Sequence, residues 1–405
     1  MSVGSLFNGK ARKWVEGRKH LFEELRSAIP ENEKIIWIHC SSLGEFEQAR
    51  PIMEKLRKDY PRFKLLLTFF SPSGYEVQKD YDGADWVFYL PIDSAKNAKT
   101  FLDIVAPSLV IFVKYEFWYY YLKKTSYRSI PLLLVSALFR QEMPFFKWYG
   151  WLPRKMLSRF DHLFVQNNAS LELLTRIDLA SITTVSGDTR FDRVIEISQR
   201  FSPIKAIEEF IGPNKAMVAG STWKDDEVVL QQAFNRIPDP SLKLIVAPHE
   251  INDKRLRELK DLFPQSVLFS ELSTATYVSN ILIIDNYGML SSLYSYGHVN
   301  YVGGGLNPNG VHNVLEAAVY GKVVLFGKYY HKYSEAVGLT IAGGAIPFYD
   351  DQRNGIMLSE LITALITNRS EYEYRCKAAR DFVCSNRGAT DKILNYIYEK
   401  RLLTN

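Results

Sequence analysis

Two glutamates stand directly behind apolar runs, where a carboxylate can face a substrate hydroxyl and take its proton. Glu45 closes Cys40-Ser41-Ser42-Leu43-Gly44-Glu45 after the run 35–39, and Glu116 lies in Lys114-Tyr115-Glu116-Phe117-Trp118 after the run 108–113. A plainer reading of each stays open. Ser42 and Glu45 have the S-x-x-E spacing of a helix capping box, and Glu116 can pair with Lys114 or another base and be structural. After the run 64–70, Ser71-Pro72-Ser73-Gly74 is a further loop of small residues, which alone reads as a turn.

The second half of the chain offers groups suited to a phosphate and a nucleoside. Gly220-Ser221-Thr222-Trp223 leads into a helix carrying Asp225 and Asp226. Free N–H groups and the helix dipole favour an anion there, although Thr222 capping with Asp225 explains the spacing equally well. In 303–322, Gly303, Gly304 and Gly305 follow an apolar run, and a helix is predicted from near Asn313 to Gly321. Such a loop can wrap a nucleotide, with Glu316 accepting hydrogen bonds from vicinal ribose hydroxyls. Asn313 capping with Glu316 would leave the three glycines and His312 unaccounted for.

Neither GxGxxG nor GxxxxGK[ST] is present, so a nicotinamide dehydrogenase and a Walker A site are not supported. His312 is the foremost histidine, and His249, in Pro248-His249-Glu250, is intermediate; His39, His162 and His298 lie within strand patterns and read as core or edge residues. Scattered histidines and three cysteines without paired spacing give no metal site.

These residues need a scaffold that brings strand ends together. Apolar runs at 35–39, 64–70, 86–90, 108–113, 131–137 and 162–167 are separated mostly by helical segments. The rhythm restarts at 215–220, 242–248, 267–270, 280–285, 298–304 and 322–327. Repeated βα units make parallel sheets, whose ligands sit at the carboxyl ends of strands. A chain of 405 residues with 47% hydrophobic and 23% charged residues has room for two such domains.

The net charge of +5 does not suggest nucleic acid, and no run is long enough to span a bilayer. The opening residues lack the apolar core of a signal peptide. Residues 138–160 mix Arg140, Lys147, Arg154, Lys155 and Arg159 with Phe145, Phe146, Trp148, Tyr149 and Trp151, which suits either an anionic membrane surface or a buried helix pair with a basic edge. Lys10, Arg12, Lys13, Arg18 and Lys19 around Trp14 offer a second basic-aromatic surface.

In order along the chain, HCSSLGE (39–45), FFSPSG (69–74), LPID (90–93), YEFW (115–118), SGDTRFD (186–192), AGST (219–222), HNVLE (312–316), LFGKYYHKYSEA (325–336) and NRGA (386–389) resemble the bacterial 3-deoxy-D-manno-octulosonic acid (Kdo) transferases of lipopolysaccharide biosynthesis. Each motif alone is weak; their shared order over residues 35–390 is specific.

The resemblance implies an α/β protein of GT-B architecture, two Rossmann-like domains facing a central cleft. Residues 1–205 would form the acceptor domain, 206–375 the CMP-Kdo domain, and 376–405 helices packing back on the first. It also implies an inverting transfer of Kdo from CMP-Kdo to a lipid A precursor, lipid IVA, with Glu45 as general base and Glu116 positioning the acceptor or supporting that base. Ser42, Gly44, Ser71 and Ser73 would meet the acceptor; Ser221, Thr222, His249, Gly303, Gly304, Gly305, His312, Asn313 and Glu316 would meet the nucleotide sugar; Arg190 and Arg140 would meet donor or membrane.

No cofactor, metal or nucleic-acid partner is implied, and the expected location is peripheral, on the cytoplasmic face of the inner membrane. Three departures accompany the match: the family's N-terminal apolar anchor is missing, Pro-Arg-His is replaced by Pro248-His249-Glu250, and Arg190 stands for the usual lysine, keeping charge but not geometry. Competing readings are a GT-B transferase using another nucleotide sugar and a catalytically silent lipid-binding relative; carboxylates at two strand ends argue against the latter.

Overall fold

The apolar runs become strands because they are short, rich in aliphatic and aromatic residues, and buried on both faces, as parallel sheets require. A computed structural model describes residues 9–273, 279–349 and 354–403; the first eight residues, read above for a leader, lie outside it. Among the described residues the first sheet contains β1 (Ile35–Cys40), β2 (Lys64–Phe69), β3 (Trp86–Tyr89), β4 (Leu109–Val113), β5 (Leu132–Ala137), β6 (His162–Val165) and β7 (Thr183–Val185). Its order is β3-β2-β1-β4-β5-β6-β7, every pair parallel.

The second sheet contains β8 (Ala216–Thr222), β9 (Lys243–Pro248), β10 (Val267–Leu268), β11 (Ile281–Ile283), β12 (Val299–Val302), β13 (Val323–Gly327) and β14 (Ala345–Phe348). It is also parallel, in the order β10-β11-β9-β8-β12-β13-β14. Every strand run expected from the sequence is present. The two additions, β7 and β14, are the far edges of their sheets, and their sequences, TTV and AIPF, are too short to carry a period.

Side-chain alternation divides each strand between two faces. In the first unit Ile35, Trp37, Val110 and Phe112 enter one core with Phe101 and Tyr121, whereas Ile36, Ile38, Leu65, Leu67 and Ile111 enter the other with Phe46, Ile52 and Leu56 of the helix Leu43–Asp59. That second core also takes Ile393, Leu394, Ile397 and Leu403 from the end of the chain. In the second unit Met217, Ala219, Leu244, Val246, Val299, Tyr301 and Leu325 form one core face.

The chain divides into Met1–Arg193 with Asn386–Asn405, and Val194–Ser385. The resemblance sets these transitions at 205/206 and 375/376. Packing moves both. Phe201 lies 5.7 Å from the Tyr296 ring, and Ile204 N donates to Tyr296 Oη at 2.5 Å, so residues 201–204 are held by the second unit. Arg375, in the helix Arg369–Ser385, donates to Gly343 O at 3.1 Å, which keeps that helix in the second unit as well.

The helix Ala389–Glu399 belongs to the first unit: Asp192 accepts from Gly388 N at 2.5 Å and Thr390 N at 2.7 Å, placing a carboxylate on its N-terminus.

Candidate functional site

The strand order of the first sheet reverses between β1 and β4, the point where an open parallel sheet leaves room for a ligand at its strand ends. Both glutamates follow these two strands. Glu116 is 6% exposed, and its Oε2 lies 3.0 Å from His39 Nε2 and accepts from Trp118 Nε1 at 2.5 Å. On the other side of the imidazole, Nδ1 is 3.1 Å from Thr68 O and 2.9 Å from Thr68 Oγ1, and that hydroxyl accepts from Trp37 Nε1 at 2.8 Å.

The Glu116 carboxylate can only accept, so the proton between it and His39 sits on Nε2, and the Thr68 hydroxyl can donate to Nδ1. Burial pushes the Glu116 pKa up, but hydrogen bonds from His39, Trp118 and Ser41 and the His39 charge outweigh it, holding the carboxyl below its ordinary range. His39 is the buried strand residue expected, and it is also part of a polar network. The signal available in sequence was its place one residue before the end of β1.

Glu45 is partly exposed in the first turn of its helix and accepts from Ser42 Oγ. Ser42 is the N-cap, yet its side chain bonds no helix backbone, so a reciprocal capping box is not formed. Nor does Lys114 pair with Glu116: its Nζ lies 5.5 Å over the Tyr115 ring. Burial raises the Tyr115 pKa, with the Arg140 charge opposing that rise and the Glu45 charge adding to it. Burial, then Glu45, Glu116 and Glu47, raises the Cys40 thiol well above its usual range and keeps it protonated.

Gly44 is exposed, and an added Cβ would meet Ser42 Oγ at 3.8 Å, so its lack of a side chain leaves space rather than relieving a clash. Ser71 caps the helix Pro72–Gln78, accepting from Ser73 N at 3.3 Å, and the two hydroxyls are 3.0 Å apart. Phe70 joins this loop to the Glu116 network, its ring 4.5 Å from Trp118.

Arg18 fixes the loop from behind. It donates to Phe70 O at 2.7 Å and Leu90 O at 2.9 Å, with Trp14 and Tyr89 rings at 4.3 and 4.5 Å. The expected basic surface around Trp14 therefore loses Arg18, whose carbonyl partners are inside, and burial lowers its pKa to about 10. Arg190 is likewise engaged, donating to Asp188 Oδ2 through Nε at 3.0 Å and Nη2 at 2.7 Å, while Gln48 donates to the same carboxylate at 3.2 Å.

The second sheet reverses between β8 and β12; of the predicted donor residues, Ser221 and Thr222 end β8, Gly303 to Glu316 follow β12, and His249 follows β9. Ser221 has a left-handed backbone, φ 53°, at an irregularity in the β8–β9 register. Thr222 is buried and donates to Glu227 Oε1 at 3.0 Å, and Glu227 pairs with Arg255. Trp223, not Thr222, is the N-cap of the helix Lys224–Phe234, whose first turn holds Asp225, Asp226 and Glu227. Those acids already occupy the positive end of the helix dipole.

Asp226, noted from sequence only as helical, organises this corner. It is fully buried, its Oδ1 accepting from Tyr301 Oη at 2.6 Å and its Oδ2 from Trp223 N at 2.8 Å and Gly304 N at 2.9 Å. Burial is the largest influence and raises its pKa to about 6.

The three glycines serve close backbone packing. A Cβ on Gly303 would lie 2.3 Å from Ser221 O, one on Gly305 2.6 Å from Gly327 N, and Gly304 has φ 88°. His312 accepts from Trp223 Nε1 at 2.9 Å, and the His249 ring packs against both, 4.4 Å from His312 and 4.7 Å from Trp223. Burial, then His249, lowers the His312 pKa to about 4. The expected helix after Asn313 is short, Leu315–Ala318; Asn313 donates to Glu316 Oε1 at 2.9 Å and accepts from Leu315 N at 3.2 Å.

Residues 138–160 divide between both readings. Phe145 is buried, and Arg154 turns inward to the carbonyls of Phe145 and Lys147, each at 2.8 Å. Trp148, Tyr149 and Trp151 are 92%, 54% and 69% exposed beside exposed Lys155. Among the described residues no helix is long and apolar enough to cross a membrane, and no group of three His, Cys, Asp or Glu could hold a metal ion.

Two Rossmann-like sheets, each with its unusual loops at a strand-order reversal, place the chain in the GT-B class of glycosyltransferase folds. A UDP-GlcNAc 2-epimerase from Neisseria meningitidis, solved with UDP-GlcNAc, has the same fold: TM-score 0.63, 18% identity, 90% of this chain and 100% of that one covered. Residues 16–193 match the family described as 3-deoxy-D-manno-octulosonic-acid transferase (kdotransferase).

A transferase of that name from Aquifex aeolicus is 29% identical over 325 residues, covering 78% of this chain and 83% of the relative. A bifunctional glycosyltransferase/methyltransferase from Fusobacterium nucleatum is 29% identical over 313 residues, 74% of this chain; the chain spans about half, 48%, of that relative's length. The chain is similar to the Kdo transferases over residues 16–193 by the family match and over most of its length by relatives of that name.

Proposed function

We propose that this protein transfers Kdo from CMP-Kdo to a lipid A precursor, lipid IVA, with inversion, at the cytoplasmic face of the inner membrane. The observation that carries the reading is the contrast between the two glutamates at one strand-order reversal: Glu116 is buried and saturated by donors, whereas Glu45 is partly exposed and bonded to Ser42. A buried, hydrogen-bonded carboxylate suits orientation, and an accessible one suits proton transfer. The acceptor hydroxyl attacks the anomeric carbon, its proton passes to Glu45, and the bond from that carbon to the CMP phosphate oxygen breaks with both electrons going to CMP.

Ser42, Gly44, Ser71 and Ser73 would meet the acceptor sugar. Ser221, Thr222, His249, Gly303, Gly304, Gly305, His312, Asn313 and Glu316 would build the donor site, the stacked Trp223, His249 and His312 rings giving it a planar wall. Arg140, whose charge acts on Tyr115, would meet an acidic group of either substrate, and Arg190 would act through its clamp on Asp188. The exposed Trp148, Tyr149 and Trp151 beside Lys155 would rest on an anionic bilayer, rings at the interface and ammonium on headgroups.

Purified protein, CMP-Kdo generated in place and lipid IVA should give a lipid heavier by Kdo on mass spectrometry. Glu45→Gln should lower transfer by about 10²–10⁴-fold, the usual contribution of a general base, while CMP binding persists. Undiminished turnover in that variant would rule Glu45 out. The epimerase that shares this fold holds a uridine nucleotide, so UDP is the competitor to measure; tighter UDP than CMP binding would replace the donor assignment.

A further inference from the structure

The network behind Glu116 contains one further titratable member, His39, to which the proposed reaction gives no part. We propose that His39 is a positioning residue: held by Thr68, its ring clamps the Glu116 carboxylate as a fixed hydrogen-bond acceptor and leaves the acceptor's proton to Glu45. This inference rests on the Kdo-transfer reading above.

The geometry is directional. His39 is wholly buried between Thr68 on β2 and Glu116 behind β4, so its ring bridges the strands on either side of β1. With Nδ1 turned to the Thr68 hydroxyl, Nε2 is the atom that faces Glu116, and Trp118 Nε1 reaches the same Oε2. The Phe112 and Trp118 rings, 5.4 and 6.3 Å from the imidazole, restrict its rotation. A histidine that accepts from a hydroxyl on one nitrogen and donates to a carboxylate through the other has its tautomer and orientation set by its partners.

The titratable groups near Glu116 are His39 and Cys40 from β1, Glu45 and Glu47 from the helix Leu43–Asp59, and Tyr115 beside it, on which Arg140 acts. Without His39, burial and the neighbouring carboxylates both favour protonation of Glu116, which would then compete as a proton donor beside the acceptor hydroxyl.

Two substitutions separate positioning from packing. In His39→Asn the amide can keep Thr68 but falls short of Glu116; in His39→Gln the longer amide reaches Glu116. The acid limb of the kcat profile should move up by about one pH unit in H39N, a roughly tenfold loss on the acid side, with little change in CMP affinity. H39Q should recover most of it, and H39N should add nothing to Glu116→Gln.

A measurement independent of turnover is the ¹³Cδ titration of Glu116, assigned by its loss in E116Q. In the wild-type protein it should titrate below the ordinary glutamate value of about 4.3. Titration at or above that value, or an acid limb in folded H39N that coincides with wild type, overturns the role of His39. Absence of Kdo transfer by the wild-type protein overturns the functional reading instead, and the Glu116 titration still decides the clamp.

Discussion

At the scale of single residues, the informative carboxylates are those whose environments diverge. Asp226 is the case that stability measurements can reach. Its pKa is about 6 in the fold against 3.8 unfolded, so the folded state holds its proton longer. Stability from this group is full below about pH 4, falls as pH rises toward 6, and is flat above, a loss on the order of 3 kcal/mol. In Asp226→Asn the side-chain amide would still accept from Trp223 N and Gly304 N through its oxygen and donate to Tyr301 Oη. That variant should therefore gain stability relative to wild type progressively between pH 4 and 6, read by urea unfolding at each pH; a difference that does not change with pH would refute the raised value. Asp226→Ala, which orphans two buried N–H groups, should lose about 2–5 kcal/mol. Glu45 and Glu116 were legible in the sequence because they follow strands directly. Asp226 and His39 were not, because their significance lies in partners brought from Tyr301, Gly304 and Thr68 by the sheet order.

At the scale of elements, the βα rhythm was legible because parallel strands buried on both faces read as unbroken apolar runs. The short edge strands β7 and β14 were not, and basic residues near aromatic ones were taken as surface although Arg18 and Arg154 point at backbone carbonyls. Composition records neither direction. Arg18 ties the loop behind β2 to the end of β3, so Arg18→Ala should cost about 2–4 kcal/mol in chemical unfolding, a charged donor and its ring contacts being lost together. Arg18→Lys should recover little, since one ammonium cannot reach both Phe70 O and Leu90 O while stacking on Trp14. Full recovery in the lysine variant would show that charge alone matters. The outward segment gives a second test: Trp148→Ala with Trp151→Ala should reduce co-sedimentation with vesicles containing anionic phospholipid, and leave thermal stability within about 1 kcal/mol because both rings are in water. Binding unchanged by both substitutions would remove this segment from the membrane proposal.

At the scale of the whole molecule, the order of chain and the order of packing disagree at one place: the chain leaves the first unit at Arg193 and re-enters it at Asn386. The returning helix Ala389–Glu399 is bound by two means of different kind. Ile393, Leu394 and Ile397 join the core formed by Ile36, Ile38 and Phe46, and Asp192 caps the helix through Gly388 N and Thr390 N. Burial supplies most of the stabilisation, at roughly 1.5–3 kcal/mol for each fully buried aliphatic side chain. The cap is worth about 1–2 kcal/mol and sets where the helix starts. Asp192→Ala should therefore lower the first unit's unfolding transition modestly, whereas Ile393→Ala with Ile397→Ala should lower it by several kcal/mol, about 2–5 for each side chain. The second unit, whose core Val229, Leu244 and Leu358 supply without help from this helix, should keep its transition in both variants. Scanning calorimetry that resolves the two transitions, with CMP added to mark the unit that binds it, is the measurement. A fall in the CMP-shifted transition equal to that of the other would mean that the returning helix supports both units.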